Sequence, residues 1–291
     1  MPPDASPRLC YSGAVRFAGP LLVIAASVVV SLGSVSCGTS GGDPPSAGGI
    51  PPAGGKDKRI KDVSDPGVQN HKDFVSQTQL ISGAIVVAID KFDETADGKS
   101  KGTVYVQDLG SKDPYSGITL FSPTFNPGNL SIGPGDVLDL NGQYTESATI
   151  GTTVTFAPGA VLPQISKPVA TFRYETQLPD PVDIDVTDLA DYTKGRKWMG
   201  MLVRVKNITL AGDAAATPTS KGRVAANMTP GTGGACTAAF PKPPTLTNDL
   251  FDVEALGLKQ GTVLASVTGV VGFFCNLHLA PRSPADIVVA K

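Results

Sequence analysis

Glycine and proline recur so often along this chain that long helices are excluded from most of it. The 291 residues include 33 glycines and 25 prolines. Proline breaks helix interiors, and glycine weakens helices and strands alike. Between these residues lie short runs rich in valine and isoleucine, which favour strands. The pattern therefore predicts an all-β body made of many short strands.

The first 36 residues have the plan of a secretory signal. Arg8 and Arg16 precede an apolar run over residues 21–32. A positive segment followed by roughly 7–15 apolar residues is typical of such signals, whereas a spanning helix needs about 20. We therefore expect residues 1–36 to be a signal peptide and the protein to be exported.

Small residues lead from the apolar run to a cysteine. The segment Leu32–Gly38 resembles the lipobox of bacterial lipoproteins, in which the cysteine is lipidated and becomes the new N-terminus. Ser34 stands where that motif usually has leucine. The resemblance implies that Cys37 anchors the chain in the cell envelope, on the periplasmic or cell-surface side. Ordinary secretion with cleavage nearby and an uncleaved anchor remain the alternatives.

A tether is predicted after Cys37. Residues 38–57 consist mainly of glycine, proline, serine and alanine. Such a segment buries too little apolar surface to offset the entropy lost on ordering. We expect residues 37–76 to be a flexible linker.

The four cysteines lie in different segments of the chain, and the segment predicts the fate of each. Cys10 lies in the signal and Cys37 would carry lipid, so Cys236 and Cys275 remain in the body. Disulfides persist in oxidising compartments, and the two body cysteines are predicted to form one. Two unpaired buried thiols are the alternative.

The body is predicted to contain two similar β units, residues 77–175 and 183–290. The run from Gly200 echoes the run from Gly83, and Gly261–Gly269 echoes Gly135–Gly142 with one extra residue. The order of features is the same in both units, which indicates an internal duplication. Chance similarity between strands is the alternative.

Five segments of the body carry a resemblance to known domains. They are Thr103–Asp108, Gly117–Phe121, Gly135–Gly142, Trp198–Val205 and Leu279–Val289. These segments resemble the OB-type domains of secreted bacterial nucleases and phosphoesterases. The resemblance covers most of residues 79–290 and implies two tandem OB-like five-stranded barrels. In those proteins a separate catalytic domain precedes or follows, and we expect none here. The protein is therefore expected not to be an enzyme and to need no cofactor.

Catalytic and metal-binding motifs are not found in the sequence. The two histidines, His71 and His278, belong to no GxSxG or HExxH pattern. Asp90, Asp93 and Asp97 share one loop, but their spacing does not match a calcium-binding loop. No catalytic residue and no metal ligand is assigned.

Two groups of residues are candidates for binding a ligand. Cations interleaved with the single tryptophan are typical of platforms on which single strands or sugars stack. The alternative is that Trp198 belongs to the core and its basic neighbours to a solvated turn. Aromatic residues on the predicted second and third strands mark the face with which OB barrels bind ligands. The candidates are Lys194, Arg196, Lys197 and Trp198 in the first group, and Tyr105 and Phe121 in the second.

The charge balance bears on whether the protein binds nucleic acid. A formal net charge of −2 argues against tight, general binding of nucleic acid. We expect an exported, surface-tethered, non-enzymatic binding or scaffolding module that reaches the membrane through its N-terminal lipid. A protein, single-stranded nucleic acid or a polysaccharide is the expected partner class. The alternative is an accessory nucleic-acid-binding component of an extracellular nuclease system.

Overall fold

A computed structural model confirms the all-β fold. Within the described residues no helix is long and apolar enough to cross a membrane. The signal segment, Cys37, most of the predicted tether and the acidic residues 93–97 lie outside the described part. The described residues are 58–92, 102–121, 124–125, 131–151, 153–216, 222–230 and 234–291.

The first sheet contains a ring of five strands. The strands of the first unit are β1 (Thr78–Ile89), β2 (Val104–Asp108), β3 (Gly117–Phe121), β4 (Thr124–Phe125), β5 (Asp136–Ser147), β6 (Thr149–Ile150), β7 (Val154–Thr155) and β8 (Leu162–Glu175). Strand β1 pairs with β2 and β5, β2 pairs with β3, and β5 pairs with β8, all antiparallel. A parallel pair between β3 and β8 closes the ring.

The second sheet repeats this order of pairing. Its strands are β9 (Val182–Asp183), β10 (Leu202–Thr209), β11 (Ala225–Asn227), β12 (Thr245–Thr247), β13 (Val263–Phe274), β14 (Asn276–Ala280) and β15 (Ile287–Val289). Strand β10 pairs with β13, β13 pairs with β14, and β11 pairs with β12, all antiparallel, while β12 pairs with β14 in parallel. An isolated bridge between Leu210 and Met228 joins the ends of β10 and β11.

The helical segments are short. Two are α-helices, α1 (Ile60–Ser64) and α2 (Tyr192–Arg196). Single 3₁₀ turns occupy His71–Phe74, Val186–Ala190, Val253–Leu256 and Pro284–Asp286.

Matching glycines support the internal duplication. Gly135 lies just before β5 and Gly261 just before β13, with φ of 102° and 82°. These angles lie in the left-handed region that glycine adopts without steric cost. Gly83 and Gly200, which the sequence also aligned, have φ of 70° and 77°. The same turn thus introduces the same strand in each unit.

Alternation along β2 separates the interior of the ring from its outer face. Val104 and Val106 lie in the core inside the ring. Tyr105 belongs to a separate apolar cluster on the outer face, where Leu202 and Val270 of the second unit also lie. Successive side chains of a strand point to opposite faces, which gives this period of two. The outer face of the ring is thus buried against the second sheet.

The two units touch backbone to backbone. A Cβ atom built on Gly117 would lie 2.5 Å from the carbonyl carbon of Gly200, and one built on Gly200 would lie 2.3 Å from the backbone nitrogen of Ile118. The fully buried Gln107 side chain accepts a hydrogen bond from the backbone nitrogen of Leu202 at 3.1 Å. Only glycine permits so close an approach.

The predicted linker is wrong for residues 58–76. These residues pack against the first unit, beginning with a parallel bridge between Lys58 and Ile81. Ile60 and Val63, one helical turn apart in α1, are fully buried in the core of the ring. Two apolar side chains on one face of a single turn add to this core, and the polar residues around them hid the pattern in the sequence.

Asp108 holds α1 in place. Its carboxylate oxygens accept hydrogen bonds from the backbone nitrogens of Ile60 at 2.7 Å and Lys61 at 3.0 Å. Burial raises the pKa of Asp108 to about 6, because the cost of desolvating the carboxylate exceeds the benefit of these two bonds.

Asp108→Asn is expected to alter how stability depends on pH. The native state binds the Asp108 proton more tightly than the unfolded chain does, so its contribution is full at low pH and is lost as pH rises through about 6. From about pH 7.5 to about pH 4, the unfolding free energy of the wild type should gain about 2 kcal/mol relative to the variant. Urea unfolding at both pH values measures this difference.

Asp113→Asn is the matched control, because this exposed carboxylate also contacts the α1 segment, through Lys61. It should show no comparable pH-dependent difference. A constant difference between wild type and Asp108→Asn across the range would contradict the raised pKa.

Candidate functional site

A cavity of about 530 Å³ lies between the two units. One wall comes from the outer faces of β2, β3 and β8, and the other from β11, β12, β13 and β14. Ligand pockets typically measure about 300–1,000 Å³ and combine apolar walls with a few placed polar groups. This cavity has both properties and is the candidate site.

The first wall is a row of side chains across three strands. Tyr105 pairs with Thr119 in register, and Thr119 pairs with Gln164. All three line the cavity, as does Phe121 two residues further along β3. The structure therefore brings together Tyr105 and Phe121, the second group of predicted binding residues. Their role in binding stays a prediction.

The second wall carries an equivalent row. His278 of β14 pairs with Gly272 of β13 on one side and with Thr245 of β12 on the other. His278 and Thr245 are buried and line the cavity. Phe274 lines it too and is 53% exposed, which leaves its ring available to an incoming molecule.

A buried carboxylate organises the polar side of the cavity. The Oδ1 atom of Asp249 lies 3.2 Å from Arg223 Nη1, and its Oδ2 atom accepts a hydrogen bond from Thr247 at 2.9 Å. His278 Nε2 lies 3.3 Å from the same Oδ2 atom. The arrangement fixes a guanidinium, a hydroxyl and an imidazole around one acceptor group. Such a cluster can orient a polar ligand by hydrogen bonds.

The first unit supports this cluster from its β1–β2 connection. The backbone nitrogen of Lys91 donates to the backbone oxygen of Asp249 at 2.9 Å. The Arg223 guanidinium lies 4.2 Å from the centroid of the Phe92 ring, within the range of a cation–π contact. Both units therefore hold the cluster in position.

Gly272 makes room for the imidazole. A Cβ atom at this position would lie 2.0 Å from His278 Nε2, so the ring passes directly over the backbone of β13. Sequence reasoning treated His278 as an isolated strand residue and missed Arg223, Asp249 and Gly272. The pairing of β13 with β14 brings Gly272 to His278, and the pairing of β14 with β12 and of β12 with β11 adds Asp249 and Arg223. No local motif marks this set.

The predicted basic platform is dispersed in the structure. Trp198 is 9% exposed and packs in the core of the second unit, and its indole nitrogen donates to Asp188 at 3.2 Å. Lys197 Nζ lies 3.5 Å from the same carboxylate, and Lys194 is exposed. Of the two interpretations of Trp198, the structure shows the core one. Arg196 turns towards the first unit and pairs with Glu146.

Glu146 is the centre of a second polar cluster. Its Oε1 atom accepts a hydrogen bond from the Tyr144 hydroxyl at 2.7 Å and lies 2.9 Å from His71 Nε2. Burial opposes ionisation of Glu146, but the hydrogen bonds from Tyr144 and His71 and the charge of Arg196 outweigh it and lower the pKa of the carboxyl. Because Arg196 belongs to α2 and Glu146 to β5, this ion pair ties the two units together.

The predicted disulfide between Cys236 and Cys275 is confirmed, with Cα atoms 4.6 Å apart. A buried ammonium group reinforces it. Lys242 Nζ donates to the backbone oxygens of Cys236 at 2.7 Å, Cys275 at 3.1 Å and Ala235 at 3.2 Å. Burial lowers the pKa of Lys242. This cluster stabilises the loop that leads into β12.

No protein-family model matches the chain, and a search of curated proteins finds no match either. Across the described part of the chain, no three histidine, cysteine or acidic side chains are grouped so that they could hold a metal ion. The site is therefore interpreted from its own geometry.

Gly272→Ala is expected to displace His278. The new methyl group would clash with the imidazole, so the ring must turn away from Asp249, with a loss of about 1–3 kcal/mol in unfolding free energy. The chain has two histidines, and NMR should show changed imidazole signals for His278 and unchanged ones for His71.

Gly212→Ala is the matched control, because a Cβ atom there meets no heavy atom within 4 Å. It should leave the signals of both histidines unchanged. Unchanged His278 signals in Gly272→Ala would show that the imidazole does not cross β13.

Proposed function

We propose that the protein is an exported, lipid-anchored binding protein whose two β units hold a ligand in the cavity between them. One observation carries this proposal. The buried cluster of Asp249, Arg223 and His278 lines the same cavity as the aromatic side chains of Tyr105 and Phe121. Placed polar groups beside apolar surface are what a specific binding site requires.

The order of strand pairing supports an OB-type origin for both units. OB folds are five-stranded, and they bind oligonucleotides and oligosaccharides on the face of the second and third strands and on the adjoining loops. In this chain β2 and β3 are the second and third strands of the first ring, and β11 and β12 take the same places in the second sheet. All four contribute to the cavity, together with Asp90 from the β1–β2 connection and Ile150 from β6.

The bonding of Asp249 suits an orienting role in the proposed binding site. Its Oδ1 atom accepts from Arg223, and its Oδ2 atom accepts from Thr247 and lies 3.3 Å from His278 Nε2. A carboxylate with these neighbours is a fixed acceptor that orients them. The accessory nucleic-acid function has less support, because Arg196 and Lys197 pair with acidic residues of the protein itself.

Processing at Cys37 tests the envelope part of the proposal. We expect mass spectrometry of the membrane fraction to show an acylated cysteine 37 at the N-terminus of the mature chain. Cys37→Ser should abolish the acylation and release the chain from the membrane, whereas Cys10→Ser, in the discarded signal, should change neither. An unmodified Cys37 inside an intact leader would refute this part.

Phe274→Ala tests the cavity. The ring is 53% exposed and lines the cavity, and Phe172 on β8 is 43% exposed and lies outside the lining. Loss of one aromatic contact is worth about 1 kcal/mol, so affinity for bound fragments should fall about five-fold. Ligand-observed NMR with an aromatic and polar fragment library measures these affinities on the full chain in detergent.

Phe172→Ala is the control and should bind the same fragments as the wild type. Equal losses in the two variants, or no fragment bound by the wild type, would contradict a binding function for this cavity.

A further inference from the structure

We infer that the ligand of this cavity is a neutral saccharide, an inference that rests on the proposed binding function. The first observation is the repeated pair of polar positions on the two walls. Thr119 stands beside Gln164 in the parallel pair β3–β8, and Thr245 stands beside His278 in the parallel pair β12–β14. Each wall therefore presents a threonine next to a longer hydrogen-bonding side chain.

These groups match the chemistry of sugar hydroxyls. A threonine hydroxyl, a glutamine amide and an imidazole each both donate and accept hydrogen bonds. The Thr119 hydroxyl already donates to the Pro163 backbone oxygen at 3.3 Å, and the Gln164 amide nitrogen donates to the Ser166 hydroxyl at 3.2 Å. Thr119 therefore offers an acceptor, and Gln164 offers its oxygen and its second N–H. A saccharide carries hydroxyls around its ring that also do both, so it can bond to two opposed walls at once. Asp249 adds a fixed acceptor at one side.

Apolar surface in the cavity suits the faces of a sugar ring. Tyr105, Phe121 and Phe274 all line the cavity. An aromatic face carries a partial negative charge and attracts C–H groups that approach it. A pyranose presents C–H groups on its faces and hydroxyls on its rim, which is the pattern that these side chains and the polar rows complement.

Charge argues against an anionic ligand. Among the described residues that line the cavity, Asp90 and Asp249 are acidic and Arg223 is basic. Arg223 already lies 3.2 Å from Asp249. A phosphate, sulfate or uronate group would meet a wall that is net negative, and like charges brought together cost several kcal/mol. Nucleic acid and acidic glycans are therefore disfavoured.

A purely apolar ligand is disfavoured for the opposite reason. It would cover the Thr245 hydroxyl and the Gln164 amide without offering them hydrogen bonds. Polar groups buried without partners lose about 1–3 kcal/mol each. A ligand with many hydroxyls avoids this loss.

A printed array tests the ligand class. The full chain in detergent is applied to neutral, sulfated and uronic-acid glycans and to single-stranded DNA oligomers on one surface. We expect binding to a subset of the neutral glycans, and calorimetry with the best of them gives the affinity. Thr245→Val, which keeps the shape and removes the hydroxyl, should weaken that affinity about 5- to 10-fold.

Thr171→Val is the matched control, because Thr171 is exposed on β8 and lies outside the cavity lining. It should bind as the wild type does. If Thr245→Val does not fold, Phe274→Ala replaces it in the same comparison. Equal affinities of the wild type and Thr245→Val, measured on folded protein, would overturn the role of this wall in sugar recognition.

The outcomes separate the two proposals. Binding of DNA or acidic glycans without any neutral glycan, weakened by Phe274→Ala, overturns the saccharide inference and leaves the binding function standing. Binding of nothing on the array, together with no fragment bound in NMR, overturns both.

Discussion

The contact between Gly117 and Gly200 is the constraint on which the rest of this structure depends. A Cβ atom on either glycine would lie within 2.5 Å of the opposite backbone. Because the backbones approach so closely, the outer face of the first ring packs directly against Leu202 and Val270 of the second unit. In a single unit the outer face of each sheet would be exposed to water. Here the outer faces of the two sheets are opposed and form the walls of the cavity. The cavity exists because the outer faces of the two sheets are held together in this way.

Polar links at three separate places keep these walls in position. Gln107 bonds to the backbone of Leu202, Arg196 pairs with Glu146, and the backbones of Lys91 and Asp249 are joined. The Gln107 link is buried and the Arg196–Glu146 pair is partly buried, so breaking either leaves a desolvated group without its partner, which costs more than the bond itself is worth. Small apolar contacts bring the units together, and these polar links determine how they are aligned.

The two units carry different side chains at positions that are equivalent in the order of strand pairing. Gln164 in the first unit lies opposite Thr145 across β5, whereas His278 in the second lies opposite Gly272 across β13. Removing the side chain at this position allows the His278 ring to cross the strand and reach Asp249. One change of this kind turns an ordinary strand position into part of a polar cluster, and the units then contribute different chemistry to a shared site.

The sequence alone determined the all-β class and predicted the pairing of Cys236 with Cys275, because the first follows from local spacing and the second from counting residues. It also predicted Tyr105 and Phe121 as candidate binding residues, because both lie on strands that the local pattern indicates. Tertiary structure decided the rest: that residues 58–76 belong to the folded body, and that Arg223, Asp249 and His278 form one cluster. These residues lie 26 or more positions apart on three segments, and local pattern shows which way a side chain points along its own strand but not which face of another unit it will meet.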